Sequence, residues 1–151
     1  MKRDDLVKMI VTFFYAGESP FAPGTLGSFV GLLLFLAVFN YPGVSVFLFL
    51  LICALGFLTC GRAEKIFGKK DPPQVVIDEV AGIFIVFFMI PINEVVLLIG
   101  FVLFRILDII KPFPARQLER LKGSYGIMLD DILCGIYANI ILRIFLVVVS
   151  R

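Results

Sequence analysis

The chain has 151 residues, of which 60% are hydrophobic and 17% charged, with 17 Phe and no Trp; a soluble domain has roughly 45–50% apolar and about 25% charged residues. One soluble core of this length could not bury so much apolar surface, so an all-α bundle integral to a membrane is expected, a single membrane-embedded domain over 1–151. Fourteen Lys+Arg against twelve Asp+Glu leave +2, too small a basic excess for a nucleic-acid binder, and the absence of His excludes imidazole as base, nucleophile or metal ligand.

The chain opens on Met1-Lys2-Arg3-Asp4-Asp5, and the apolar run 6–16 behind it is too short to cross a bilayer; it predicts a short interfacial or re-entrant helix and no cleaved signal. Next stands Ser19-Pro20-Phe21-Ala22-Pro23-Gly24-Thr25-Leu26-Gly27-Ser28, a rigid turn that delivers the chain to a helix start, with Thr25 or Ser28 as cap. The free N–H groups of such a start form an anion site. Apolar runs at 26–39, 44–60, 80–90, 95–107 and 132–149 predict five membrane helices. They are separated by Asn40-Tyr41-Pro42-Gly43, by the charged stretch 61–79, by Pro91-Ile92-Asn93-Glu94 and by 108–131. Some runs are shorter than a full crossing and must borrow flanking turns, so four crossings with a re-entrant pair over 80–107 is the alternative. Cys53, Cys60 and Cys134 lie within apolar runs and read as small buried hydrophobes.

Five crossings gather all fourteen Lys and Arg on one side except Arg143 and Arg151, which makes that side the cytoplasm. All twelve acids except Glu94 fall there too. Asp78 and Glu79 open the third helix, Asp108 closes the fourth, and Asp130 and Asp131 open the fifth, so five carboxylates converge on one layer. Asp78 has Gly82, and Asp131 has Gly135, four residues on and one turn deeper on the same face; glycine there lets the two helices approach and brings their acidic ends together. Any one of these acids could be a helix cap, but packed like charges near lipid are costly unless a cation neutralises them. Oxygen is the ligand type on offer, which points to a hard divalent cation, Mg²⁺ first and Mn²⁺ or Ca²⁺ after it. Arg105, on one face with Asp108, and Lys111, before Pro112 and Pro114, add cations beside the acids and suggest an anionic ligand with phosphate oxygens. Arg143, deep in the last helix, needs an internal partner, whereas Glu64, Asp71 and Glu119 read as a solvated face.

Four blocks occur in a fixed order: Ser19-Pro20 to Pro23-Gly24-Thr25 and Gly27-Ser28; Asp78-Glu79 with Gly82; Phe104-Arg105, Asp108, Lys111-Pro112, Pro114 and Arg116; and Gly126-Ile127-Met128, Asp130-Asp131 and Gly135. With them the chain closely resembles the phosphatidylglycerophosphatase A family from about Gly17 to Gly135. One departure stands out: where the family commonly has Gly-Gly, this chain has Gly123-Ser124.

The resemblance implies a bacterial inner-membrane, Mg²⁺-dependent enzyme whose partner is phosphatidylglycerol phosphate in the bilayer, hydrolysed at its terminal phosphate. On this reading Asp78, Glu79, Asp130 and Asp131 hold Mg²⁺, and Asp108 completes the shell or acts as base. Arg105 and Lys111 grip phosphate with the Thr25–Ser28 turn, and Ser19 and Arg116 join the substrate set. Other phosphatase chemistries fail on the letters. A cysteine nucleophile needs Arg six positions on, where Thr59, Ile66 and Ile140 stand, and Asp-x-Asp does not occur. Metal-assisted hydrolysis remains. The competing function, an ion or proton carrier, would need polar stations across the midplane, and the acids form one layer instead.

Overall fold

The computed structural model describes residues 3–149, and every regular element among them is helical. The elements are α1 (Arg3–Val11), a 3-10 turn (Ala16–Glu18), α2 (Pro23–Val38), α3 (Pro42–Phe67), α4 (Ile77–Val86), α5 (Glu94–Ile110), α6 (Ala115–Leu118) and α7 (Ser124–Val149). Lys2 and Arg151, used in the charge balance, lie outside the described residues. The five expected helices are all present, with shifted ends that have local causes. Pro23 occupies the first turn of α2, so the helix starts before Thr25. Helix α3 continues past Cys60 through Arg62, Glu64 and Lys65, all good helix formers, and stops at Gly68, whose φ of 66° suits glycine. Its extra turns hold α1, where Arg62 Nε donates to Asp4 Oδ1 at 2.7 Å and Val7 and Val11 are buried, and Lys8 ties α1 to Glu18 of the 3-10 turn. The Asn93 side chain accepts the N–H of Val96 at 2.9 Å to cap α5, and Pro112 follows its end.

Helix α4 is the centre of the bundle. Eight of its residues are buried, and α2, α3, α5 and α7 all pack on it. Its 10 residues rise about 15 Å, half of a bilayer core of roughly 30 Å. The expected helix over 80–90 therefore ends at Val86, and residues 87–93 continue as turn and irregular chain. This backbone is tolerated because α7 supplies its hydrogen bonds: Asn139 Nδ2 donates to the carbonyls of Ile85, Val86 and Phe88, and Arg143 Nη2 to those of Phe88 and Met89. Arg143 thus has the internal partners its position demanded. Helices α4 and α7 touch backbone to backbone: a Cβ on Gly135 would lie 2.6 Å from the carbonyl oxygen of Gly82.

Helices α3 and α7, each 26 residues, are long and apolar enough to cross a bilayer, and Phe47, Leu50, Leu58, Ile144 and Val148 lie exposed on their surfaces. So large an apolar exterior belongs in lipid, and the chain is a membrane protein. Contacts of Arg105 with Ser28 and Glu79, and of Gly61 with Ser124, bring the starts of α2, α4 and α7 and the ends of α3 and α5 together at one end.

Candidate active site

Asp78 and Glu79 lie in the first turn of α4, behind Val76, whose side chain cannot cap. Because Gly82 and Gly135 let the helices meet, Asp131 of α7 comes level with them. Asp78, Glu79 and Asp131 each offer a carboxylate oxygen, and the three oxygens lie within 4.8 Å of one another. The other two expected carboxylates are ion-paired beside this triad. Arg105 Nη1 donates to Asp108 Oδ2 at 2.7 Å and to Ser28 Oγ at 3.2 Å, and stands 3.9 Å from Glu79 Oε1. Lys111 Nζ donates to Asp130 Oδ2 and stands 3.7 Å from Glu119 Oε1. Burial disfavours the charged form of Lys111, but the hydrogen bond and charge of Asp130 outweigh it and hold the ammonium pKa above the usual lysine range.

The start of α2 closes the other flank. A Cβ on Gly24 would sit 2.3 Å from Glu79 Oε1 and 3.2 Å from Arg105 Nη2, so only glycine fits there without displacing both. A first helical turn brings N–H groups without intrahelical partners and the positive end of a dipole, both suited to an anion.

Asp130 and Asp131 are 1% and 2% exposed, and Asp78 and Asp108 are buried as well. Several atoms of the site are buried without any hydrogen-bond partner: Asp78 Oδ1, Glu79 Oε2, Asp130 Oδ1, Asp131 Oδ2 and Arg105 Nε. Buried polar atoms are otherwise almost always satisfied, and uncompensated carboxylates are the costliest exceptions. Three of the orphaned oxygens belong to the triad of Asp78, Glu79 and Asp131 and fit a positive charge in their midst, so the cluster is able to hold a metal ion, and an all-oxygen donor set suits a hard one.

Several expected residues sit differently. Asp130 and Asp131 do not open a helix; α7 begins at Ser124, so both lie in its second turn and capping is not their role. Asp130 turns to Lys111, outside the three-oxygen cluster. Ser28 is inside α2, where its hydroxyl donates to the Gly24 carbonyl at 2.9 Å. Thr25 is exposed. The Ser19 hydroxyl closes its own turn, accepting from the Phe21 N–H and donating to its carbonyl. Arg116 is exposed, and its Nη2 donates to the Ile110 carbonyl at 3.3 Å, tying α6 to the end of α5. Ser124 Oγ accepts the Gly61 N–H at 2.7 Å, so the residue that departs from Gly-Gly fastens α7 to α3.

Two acids read as solvated belong to the rim. Glu119 faces Lys111, and its carbonyl accepts from Lys70 Nζ at 3.1 Å. Burial pushes the Asp71 carboxyl pKa up, with Lys111 opposing and Glu119, Asp108 and Glu64 adding to the rise, and the Asp71 N–H donates to Glu64 Oε1 at 3.3 Å. The available signal was Asp71-Pro72-Pro73, a run that cannot be helical and must bend tightly into α4.

The family model described as Phosphatidylglycerophosphatase A matches residues 9–146. A Haemophilus influenzae protein named Phosphatidylglycerophosphatase A is 39% identical over 139 residues, covering 89% of this chain and 85% of the relative. An Escherichia coli protein of the same name is 36% identical over 132 residues, 85% of this chain and 76% of the relative. A Bacteroides thetaiotaomicron protein, provisionally named a phosphatidylinositol-3-phosphatase, is 34% identical over 154 residues, 95% of this chain and 96% of the relative. No solved structure matches the chain.

Proposed function

Since the chain belongs to the phosphatidylglycerophosphatase A family and is therefore a lipid phosphatase, we propose that it hydrolyses the terminal phosphate of phosphatidylglycerol phosphate with the help of Mg²⁺. The observation that carries the metal is the set of buried carboxylate oxygens without partners on Asp78, Glu79 and Asp131. Asp78, Glu79 and Asp131 would hold the ion, with Asp130 beside them. When bound, Mg²⁺ supplies charge neutralisation at the phosphate oxygens and lowers the pKa of a coordinated water.

The chain's own residues supply the rest. Arg105, steadied by Asp108 and Ser28, presents its guanidinium to phosphate oxygens, and Lys111 adds a second positive charge. The first turn of α2 approaches on the Gly24 side. A water oxygen bonds to phosphorus as the ester P–O bond breaks. We assign the receiving carboxylate for the water proton to Asp130, whose Oδ1 has no partner while Lys111 fixes Oδ2. The departing glycerol oxygen regains a proton. Phosphoryl transfer rests mainly on positioning and charge neutralisation, and this layer offers both.

The lipid tails stay in the bilayer beside the pocket. Helix α5 has 17 residues and rises about 25 Å, and the half helix and irregular chain over 77–93 run before it, which supports a reading of five crossings. We infer a site on the cytoplasmic side of a bacterial inner membrane, and what supports this is that Arg3, Lys8, Arg62, Lys65 and Lys111 lie toward the acidic end of the bundle.

Phosphate release from phosphatidylglycerol phosphate by the detergent-solubilised protein, with Mg²⁺ or with chelator, tests the reading. Turnover that chelation leaves untouched would sink the metal. Faster release from phosphatidylinositol 3-phosphate would replace the substrate with the one in the name of the Bacteroides thetaiotaomicron relative.

A further inference from the structure

Four residues of α7 at four-residue spacing, Asp131, Gly135, Asn139 and Arg143, form one ridge, and that ridge follows α4 from end to end. Asp131 meets Asp78 and Glu79 at the start of α4. Gly135 touches the Gly82 backbone in the middle. Asn139 Nδ2 lies 2.9 Å from the carbonyls of both Ile85 and Val86 and 3.0 Å from that of Phe88. Arg143 Nη2 reaches Phe88 at 2.9 Å and Met89 at 3.2 Å, while its Nε holds Asn139 Oδ1 at 2.8 Å.

We propose that Asn139 and Arg143 are positioning residues of the carboxylate site: by fixing the far end of α4 to α7 they set how far α4 is slid along it, and so whether Asp78 and Glu79 come level with Asp131. The inference rests on the metal reading above. Its physical ground is that the sides of α4 are almost wholly apolar and that the Gly82–Gly135 contact permits close approach, while neither carries a directional bond that fixes one sliding position over a neighbouring one. Directional hydrogen bonds do give such a preference. The last carbonyls of a helix lack partners within it, so the end of α4 is where a neighbour can grip the backbone. Slippage by one residue moves the carboxylates about 1.5 Å, enough to disorganise a metal shell or a reacting geometry. Arg143 also places a positive charge at the negative end of the α4 dipole.

The test uses the full-length protein in detergent, with Mn²⁺ as a spectroscopic probe read by electron paramagnetic resonance without substrate, and Mg²⁺ titrations of phosphate release beside it. Asn139→Leu and Arg143→Met are each expected to weaken Mn²⁺ binding by roughly tenfold and to raise the half-activating Mg²⁺ concentration by a similar factor. Excess Mg²⁺ should restore much of kcat, with KM for the lipid little changed. Arg143→Lys, which keeps one donor and the charge, should fall between. A role confined to folding predicts the opposite pattern: less active protein at every Mg²⁺ concentration, with neither the Mn²⁺ affinity nor the Mg²⁺ midpoint moved. That result in either folded variant overturns the proposal, as does failure of both variants to fold. A native protein that binds no Mn²⁺ and ignores chelator takes down the metal reading and this inference together. Native binding matched by the variants takes down the inference alone.

Discussion

The two ends of α4 are built from the same kinds of group and finished in opposite ways. At its C-terminal end, carbonyls exposed by the early stop at Val86 meet donors from Asn139 and Arg143. At its N-terminal end, Asp78 and Glu79 are packed against Asp131, and oxygens of all three remain buried without partners. Both ends lie in low dielectric, where an unmade polar contact is expensive. The satisfied end is complete as protein. The unsatisfied end is able to hold a metal ion, and the proposed function fills it with a cation beside an anion.

The contrast is broken most severely at Asp131. Asp131→Asn removes a charge from the triad, and release of phosphate should fall to background while the protein stays folded; near-normal turnover would dissolve the assignment. Next comes Arg105→Ala, expected to lower kcat by on the order of 10³ through lost stabilisation of charge in the transition state, with Arg105→Lys recovering part of it. Steady-state kinetics on both variants check this.

Gly24→Ala and Gly135→Ala sharpen the difference between site and scaffold. A methyl on Gly24 would press first on the side chains of Glu79 and Arg105, so activity should drop by roughly 10² with little change in melting temperature. A methyl on Gly135 would meet the Gly82 backbone, so melting temperature and Mn²⁺ affinity should fall together. Thermal melts beside activity assays separate the two. The smallest effects are expected at Thr25 and Arg116, both exposed and neither joined to an acid of the layer: Thr25→Val and Arg116→Ala should stay within roughly twofold to threefold of native kcat/KM, as solvent-exposed groups usually do.

Much of this was legible in the sequence. The apolar runs, the early proline stops and the glycine echo of Asp78–Gly82 in Asp131–Gly135 foretold five helices and a close pair with acids level, because these follow from local periodicity and residue size. Helix ends were less legible: the charges of Arg62, Glu64 and Lys65 look like a loop but are compatible with a helix that leaves the apolar layer, and Gly126-Ile127-Met128 extends α7 back beyond its acids. Asp71 and Glu119 looked solvated because their contacts come from folding: Lys111 stands against Glu119, and Lys70, next to Asp71, donates to the Glu119 carbonyl from 49 residues away in sequence.

What the sequence determined by itself was the chemistry available: carboxylates, two cations, no imidazole, and enough apolar surface to require lipid. Those are properties of residue types and of spacing along one helix. Only the tertiary structure decided which carboxylates share a centre and which are neutralised, placing Asp78, Glu79 and Asp131 together while Asp108 and Asp130 went to Arg105 and Lys111. It also decided that the third helix stops as early as Val86, four residues short of the Ile90 that precedes Pro91. Carbonyls at that break meet donors that α7 brings from more than fifty residues away in sequence, and a contact of that kind exists only once the chain has folded.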